Sequence, residues 1–441
     1  MGILSGFFRN KAVKNSGWLV GSKIGQMVIS LLVSLITARY LGPSNYGLIN
    51  YGTSFTAFFT SFCTLGINSL LVKEFVDHPE QEGQIIGTSL VLKGIASLLS
   101  ALTIVAVVSV LDHDEPATIA VVALCSLGLL FAVFNSFTYW FHRHLKSKFA
   151  AIATFIAYSV TAVYRIVMVV LGQSVYWFAL VSAVDHAVLA ILLFAFYKKE
   201  SGQRLGFSWS YGKELLSRSK HFILSGLMVA IYGQTDKLML KQMLDVTATG
   251  YYATATTINN LWCFVLTAIV DSLNPAIMEA HKAGNEELFK RKNRQLYALV
   301  FYISMVVALG FNIFAELIVL ILYGRAYLPA AGPLRIISWY TAFSYLGVAR
   351  NSWLVSKNKQ RHMIKLYLGA AIVNVVLNLM LIPVCGATGA AIASLIAQIM
   401  TGIVMPFFIK ELRENGKMMV EGIMLKDIGI AFCRKNKKEQ E

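Results

Sequence analysis

The chain is 441 residues long, 56% hydrophobic and 14% charged, with a mean hydropathy of +0.62. That balance excludes a water-soluble fold, because ordinary soluble domains carry roughly 25% charged residues. The formal charge of +16 comes from basic residues scattered over loops and both termini, a pattern of membrane topology that excludes nucleic acid as the partner.

Apolar runs between charged or turn-rich breaks predict twelve spans, at 18–40, 49–72, 86–110, 118–140, 149–171, 175–197, 221–240, 251–273, 297–319, 333–355, 366–384 and 387–409. Each is close to the ~20 residues that cross a hydrocarbon core. An even count puts both termini on one side, and the distribution of Lys and Arg says which. The N-terminus, residues 73–85, 141–148, 198–220, 279–295, 356–365 and the tail from Lys410 together hold 30 of the 39 Lys and Arg. The opposite loops hold only Lys241 and Arg325, and one of them is acidic at Asp112, Asp114 and Glu115. Both termini are therefore expected in the cytoplasm. The longest pieces outside the bilayer, the loop from Lys198 to Lys220 and the tail, are far below the ~100 residues of a typical domain, so no separate soluble catalytic domain is expected. The first span is of full length, carries Lys23 and lacks a small-residue cleavage site, so it reads as retained rather than as a signal peptide. The tail follows Ile423, Met424 and Leu425 and Ile428–Phe432 with Arg434, Lys435, Lys437 and Lys438, a mix suited to anionic headgroups.

Nucleophile and metal motifs are missing. The five cysteines, Cys63, Cys125, Cys263, Cys385 and Cys433, form no C-x-x-C pair. His142 and His144 make an H-x-H pair in a basic loop without acidic neighbours, which reads as a solvated loop. No phosphate-cradling glycine loop, H-E-x-x-H or G-x-S-x-G occurs, so any work is driven from outside the chain.

An offset of 203 residues lays "LGPSNYGLINYGTSF" over "LDVTATGYYATATTI", with Leu41 on Leu244, Gly47 on Gly250 and Thr53 on Thr256. Both segments turn on the same side of the membrane, which predicts two parallel six-span repeats. The expected fold is an all-α membrane protein, twelve transmembrane helices in two six-helix lobes around a central cavity. Its parts are an N-terminal lobe at 1–197, a cytoplasmic linker at 198–220, a second lobe at 221–410 and a basic tail at 411–441.

Charges inside the spans are the most informative residues, because an ionised side chain at mid-bilayer costs roughly 2.5–3.5 kcal/mol and usually faces a bundle interior or water. Depth along each helix puts Lys23, Lys93 and Arg350 toward the inner third and Arg165 and Lys237 toward the outer third. Cations at two levels suit an anionic group that must cross, such as a pyrophosphate. The plainer reading pairs Arg165 with Asp185 and Lys237 with Asp236. Asp185, Asp236 and Asp271 are the candidates for carrying protons or a cation. Tyr232–Lys237 is the most polar interruption of an otherwise apolar span.

Five segments in order, "TARYLGPSNYGLINY", "IYGQTDKLMLKQMLDVTATGYYATA", "LNPAIMEAHKAGNEELFKRKNRQ", "ELIVLILYGRAYLPAAGPLRIIS" and "NVVLNLMLIPVCGATGAAIAS", resemble Wzx-type polysaccharide flippases of the multidrug/oligosaccharidyl-lipid/polysaccharide exporter superfamily. The resemblance implies a bacterial inner-membrane protein that moves undecaprenyl-pyrophosphate-linked repeat units, such as O-antigen or capsule units, by alternating access. It also implies a cationic cavity, no cofactor beyond a coupled H+ or Na+ ion, and membrane lipids, polymerase and chain-length proteins as partners. No family motif fixes the five cationic positions. A drug exporter is the first alternative, with acids and aromatics expected to dominate its cavity. Here the spans hold seven Lys and Arg against Asp185, Asp236, Asp271 and Glu316. A membrane glycosyltransferase or ligase would place charged residues in a long outer loop, and the longest here, near 320–332, holds only Arg325.

Overall fold

The computed structural model describes residues 11–201 and 203–426, and gives the backbone alone for 11–28, 201, 221, 224, 225, 229 and 232. Among the described residues the chain is all-α, without strands. Among the described residues, eight stretches are long and apolar enough to cross a membrane. Two of them, Ile29–Asp77 with 49 residues and His362–Phe408 with 47, exceed twice the ~20 residues of one span. Each is broken by a glycine at positive φ, Gly42 (φ 72) and Gly386 (φ 59), where a residue lacking Cβ turns the chain without steric cost. The expected stretches lie mostly on helix, with turns inside three of them at 65–67, 180 and 261–262.

The chain divides into two compact units, Met1–Gln234 and Thr235–Glu441. In chain order the first holds α1 (Lys11–Thr64), α2 (Asn68–Asp77), α3 (Glu82–Leu111), α4 (Pro116–Ala132), α5 (Ser136–Arg143), α6 (Ser147–Val170), α7 (Val175–Ala179) and α8 (Val181–Ser201). Helix α9 (Trp209–Met243) contains the division. The second unit continues with α10 (Val246–Asn260), α11 (Cys263–Lys282), α12 (Glu286–Tyr323), α13 (Ala331–Ser356), α14 (His362–Ile399), α15 (Met405–Phe408) and α16 (Arg413–Ile423).

Local chemistry sets the ends of these helices. Pro116 opens α4 at the first helical turn, where a missing N–H costs nothing. Asp245 caps α10 through Ala248 N at 2.7 Å, and Asn285 caps α12 through Leu288 N at 3.0 Å. Asp245 lies 203 residues after Gly42, so the repeat seen in sequence places a helix–break–helix joint at the same position in both halves.

In the first unit, Phe75, Phe137, Phe141, Trp140 and Tyr197 pack with Ile67, Leu71 and Leu193 into one core. Two buried acids fasten its edge. Glu82 accepts hydrogen bonds from Trp140 Nε1 at 2.6 Å and from His144 Nε2 at 2.9 Å. Glu74, fully buried, accepts from Tyr211 Oη at 2.8 Å and pairs with Arg218 at 2.6 Å. Burial and that bond to Glu74 raise the Tyr211 phenol above its ordinary pKa.

The segment expected as a loop from 198 to 220 is mostly helix. Helix α8 runs to Ser201 and α9 begins at Trp209, its first turn supported by Ser208 Oγ accepting from Tyr211 N at 3.3 Å. Residues 203–208 between them lie as a strap along α3. Gly206 N donates to Gly83 O at 3.1 Å, Gly83 N to Gln203 Oε1 at 2.7 Å and Ser208 N to Thr88 Oγ1 at 3.1 Å. The approach requires glycine: a Cβ at Gly83 would meet Arg204 O at 2.2 Å, and one at Gly87 would meet Gly206 O at 2.1 Å.

In the second unit, Phe289, Tyr297, Trp353, Leu354, Leu366, Leu412 and Met419 form the core. Helix α12 has 38 residues, about 57 Å at 1.5 Å per residue, so it extends well beyond a ~30 Å hydrocarbon layer. Leu299, Tyr302, Val306, Leu309, Ile313 and Leu317 are all exposed on it. Their helical spacing makes one apolar strip that suits acyl chains.

Candidate functional site

Two cavities lie inside the first unit. One, of about 330 Å³, is lined by Arg165 and Asp185 together with Tyr46, Asn50, Tyr158 and Thr161. The other, of about 340 Å³, is lined by Lys93, Asn68, Cys63, Ser97 and Asn135. Ser182 and His186 belong to both walls. His186 Nδ1 lies 2.8 Å from the Ser182 carbonyl. A carbonyl only accepts, so Nδ1 is the donor in this contact.

Lys93 is 2% exposed. Its Nζ donates to Asn68 Oδ1 and, at 2.8 Å, to Ser136 Oγ; neither partner is a carboxylate, so dipoles rather than an opposite charge meet it there. Asp185 accepts from Thr161 Oγ1 at 3.1 Å. Arg165 and Asp185 share a cavity but make no ion pair within 4.0 Å, and Arg165 makes none with any carboxylate among the described residues. The simple pairing expected as the plainer reading is not what the helices build.

The second unit centres on Asp236, 6% exposed. Its Oδ1 accepts from Asn378 Nδ2 at 2.7 Å and Asn374 Nδ2 at 3.0 Å, and its Oδ2 accepts from the Tyr252 and Ser394 hydroxyls. A carboxylate offers about four acceptor sites, and four donors fill them. Asn374 and Asn378 stand before the Gly386 break in α14 and Ser394 after it, so one carboxylate ties both limbs to α9 and α10. Asn378 Oδ1 is buried without a hydrogen-bond partner. Lys237 makes no ion pair with Asp236 among the described residues; neighbours on a helix point about 100° apart, so the acid enters the cage and the lysine does not.

Arg350 is buried in the second unit, and its Nη1 donates to the Thr401 carbonyl at 3.0 Å. Thr401 belongs to the π-helical turn Met400–Val404, where the helical ladder is interrupted. Asp271 is exposed on α11, and with Asn274, Glu279 and Lys282 it makes a polar stripe along a cleft of about 430 Å³. The Lys23 side chain lies outside the described residues. Among the described residues no cluster of three or more His, Cys, Asp and Glu is placed to hold a metal ion.

Tyr252, Asn374, Asn378, Ser394, Asn68, Ser136 and His186 escaped the sequence reading. One signal was available: Asn374 and Asn378 stand four apart in an apolar span, a spacing that puts two amides on one helix face.

An all-α, multi-span membrane protein with charged groups held inside its helix bundles is the class that fold and sites define. The chain belongs to the Polysaccharide biosynthesis protein family, whose sequence pattern matches residues 12–281. A curated relative, the uncharacterized membrane protein MJ1068 of Methanocaldococcus jannaschii, is 22% identical over 96% of this chain and 89% of its own length. The fold is that of lipid II flippase MurJ in an inward closed conformation, with a TM-score of 0.69 at 13% identity over 92% of this chain and 91% of that one. It is equally that of an inward-facing multidrug resistance MATE family transporter of the MOP superfamily. There the TM-score is 0.67 at 13% identity, over 93% and 96% of the two chains.

Proposed function

We propose that the protein is a flippase that carries undecaprenyl-pyrophosphate-linked oligosaccharide repeat units across the bacterial inner membrane by alternating access. In this reading it is a transporter and not an enzyme, with lobes at 1–197 and 221–410, the linker at 198–220, the tail at 411–441 and both termini cytoplasmic. The observation that carries it is Arg165, a guanidinium in the wall of a membrane-embedded cavity without a carboxylate in ion-pair range, in a chain of the polysaccharide biosynthesis family. Such a charge is costly unless an anion visits it. Lys23, Lys93, Lys237 and Arg350 are the other cationic candidates for contact with the pyrophosphate in this reading.

Asp236 is the coupling group in this scheme. An amide flip at Asn374 or Asn378 turns a donor into an acceptor, so the cage that now donates four bonds to the carboxylate can instead present oxygens to a proton or sodium ion. Asp185 and Asp271 are the secondary candidates. One charge moved through 100 mV supplies about 2.3 kcal/mol, enough to bias the return of the empty carrier without ATP. The likeness to MurJ and to the MATE transporter supports this reading through the fold alone.

The test is a deletion strain complemented with wild type, Arg165→Ala or Lys237→Ala at matched expression. Lipid-linked repeat units accumulating inside the cell, with surface glycan restored by wild type only, is the expected result. Intact glycan with altered drug tolerance in the deletion would replace the reading with a multidrug exporter.

A further inference from the structure

The strap at 203–208 has one side that meets α3 and another that the protein leaves uncovered. On the inner side the backbone of Arg204 and Gly206 closes on Gly83 and Gly87, and Ser208 N donates to Thr88 Oγ1. The alternate side chains, Leu205, Phe207 and Trp209, are 40%, 52% and 53% exposed. A period of two is that of extended chain, whose successive side chains point to opposite sides. The outer side thus presents three large apolar groups in a row, with the Phe207 and Trp209 rings 6.2 Å apart.

The level of this row in the membrane follows from α3. Its 30 residues measure about 45 Å at 1.5 Å per residue, the thickness of a bilayer with both headgroup layers. The first turns of α3 therefore cross the headgroup layer on the side of the basic loops. The strap climbs those turns: Gly206 N donates to Gly83 O at 3.1 Å, Ser208 N reaches Thr88, and a Cβ on Gly212 would touch Thr88 and Leu92. Phe207 and Trp209 stand at the level of Gly87–Leu92, where the apolar run of α3 begins. Charge fits that level. Arg204 precedes the row and Lys213 follows it, both exposed, and Lys213 Nζ lies 6.0 Å from the centre of the Trp209 ring. Lys198 and Lys199 are exposed in the last turn of α8, just before the strap. Of the acids near the row, Glu200 pairs with Lys146 at 2.7 Å and Glu214 lies 3.6 Å from Arg218. The exposed Asp77 and Glu80 flank Pro79, which meets Gln203 at the far end. Cations beside aromatic rings at the edge of an apolar run match phosphates above an acyl layer.

We propose that Leu205, Phe207 and Trp209 insert into the headgroup layer of the membrane, with Arg204 and Lys213 at the lipid phosphates. The segment expected as a free linker is then a membrane-seated brace of the first unit, held by α3 on one side and by lipid on the other. It acts so whatever the chain carries, and the inference stands or falls separately from the flippase reading.

The experiment places a single para-trifluoromethylphenylalanine at position 207 of the full chain, in nanodiscs of phosphatidylglycerol and phosphatidylcholine. Its fluorine resonance is read against two paramagnetic probes, a lipid with a nitroxide on its headgroup and a water-soluble gadolinium chelate. The same label at position 287 is the reference, because Glu287 is exposed on α12 about 13 Å before the apolar part of that helix begins at Leu296. At 207 the lipid nitroxide should broaden the line roughly threefold more than at 287, and the chelate roughly threefold less. Equal responses at the two positions overturn the proposal. So does a line at 207 that neither probe broadens, as when a protein segment covers the strap. Position 205, labelled and read in the same way, keeps the test decisive should the label at 207 disturb folding.

Discussion

Replacing Asp236 with Asn tests whether the cage of the second unit is built for a charge. The exchange keeps shape and retains one acceptor oxygen. The new amide group faces the Tyr252 and Ser394 hydroxyls, which can rotate to accept, so the four contacts survive as neutral hydrogen bonds. A hydrogen bond to a charged group contributes about 1.5–3 kcal/mol and a neutral one about 0.5–1.5. Four bonds therefore lose roughly 4–6 kcal/mol, partly offset because a neutral amide carries a smaller burial penalty than a carboxylate. A net destabilisation of about 2–4 kcal/mol is expected. Thermal unfolding of the full chain in detergent reads it, beside Asn378→Ala and the double variant, whose coupling energy isolates the Asp236–Asn378 contact. On the proposed coupling role, transport by Asp236→Asn should fail per folded molecule, because the cage keeps no carboxylate to bind an ion. A variant within 0.5 kcal/mol of wild type that still moves glycan would refute both the energetics and the assignment.

Three further outcomes follow from the geometry. Gly87→Ala drives a Cβ to 2.1 Å from the Gly206 carbonyl and should destabilise by about 1–3 kcal/mol through overpacking. Gly94→Ala on the same helix meets nothing within 4 Å and should be neutral or stabilise by up to ~1 kcal/mol; equal melting temperatures would dismiss the strap. Arg165→Ala removes no ion pair and relieves a charge that is costly inside the membrane, so it should abolish transport without lowering the melting temperature, and Arg165→Lys should restore part of the activity in the same glycan assay. Tyr211→Phe strips a hydrogen bond from buried Glu74 and should cost about 1–3 kcal/mol, measured by denaturation of the full chain; an unchanged transition would show the contact to be dispensable.

The helices were legible in the sequence because twelve apolar runs carry their own length signal, and Leu41-Gly42-Pro43 announces its break through two residues that disfavour continuing a helix. Asp236 was legible as an expensive group in an apolar span. Its partners were not, because Asn374, Asn378 and Ser394 arrive from 138 to 158 residues away, and nothing in a span fixes how it rotates. Rotation also decided Arg165 and Asp185: the sequence fixes depth along each helix, and whether two charges at similar depth touch depends on an angle it does not contain. The helical form of 209–220 is hidden in the sequence for another reason. Polar and basic residues from Trp209 to Lys220 read as loop, yet Ser208 supports a helix start, and Tyr211, Leu215 and Arg218 recur on the face that packs on the first unit.

The joints at positions 42 and 245 do one job by unlike means. At 42 the turn lives in the backbone, φ 72 with open space around it, and nearly any side chain would be strained there for conformational reasons alone. At 245 the backbone is extended, φ −161, and the turn is secured by a carboxylate that Asn, Ser or Thr can replace with little loss. The two joints therefore tolerate substitution unevenly, more where a side chain makes the corner than where the absence of one does. A shared architecture can in this way outlast the resemblance between the sequences that encode it.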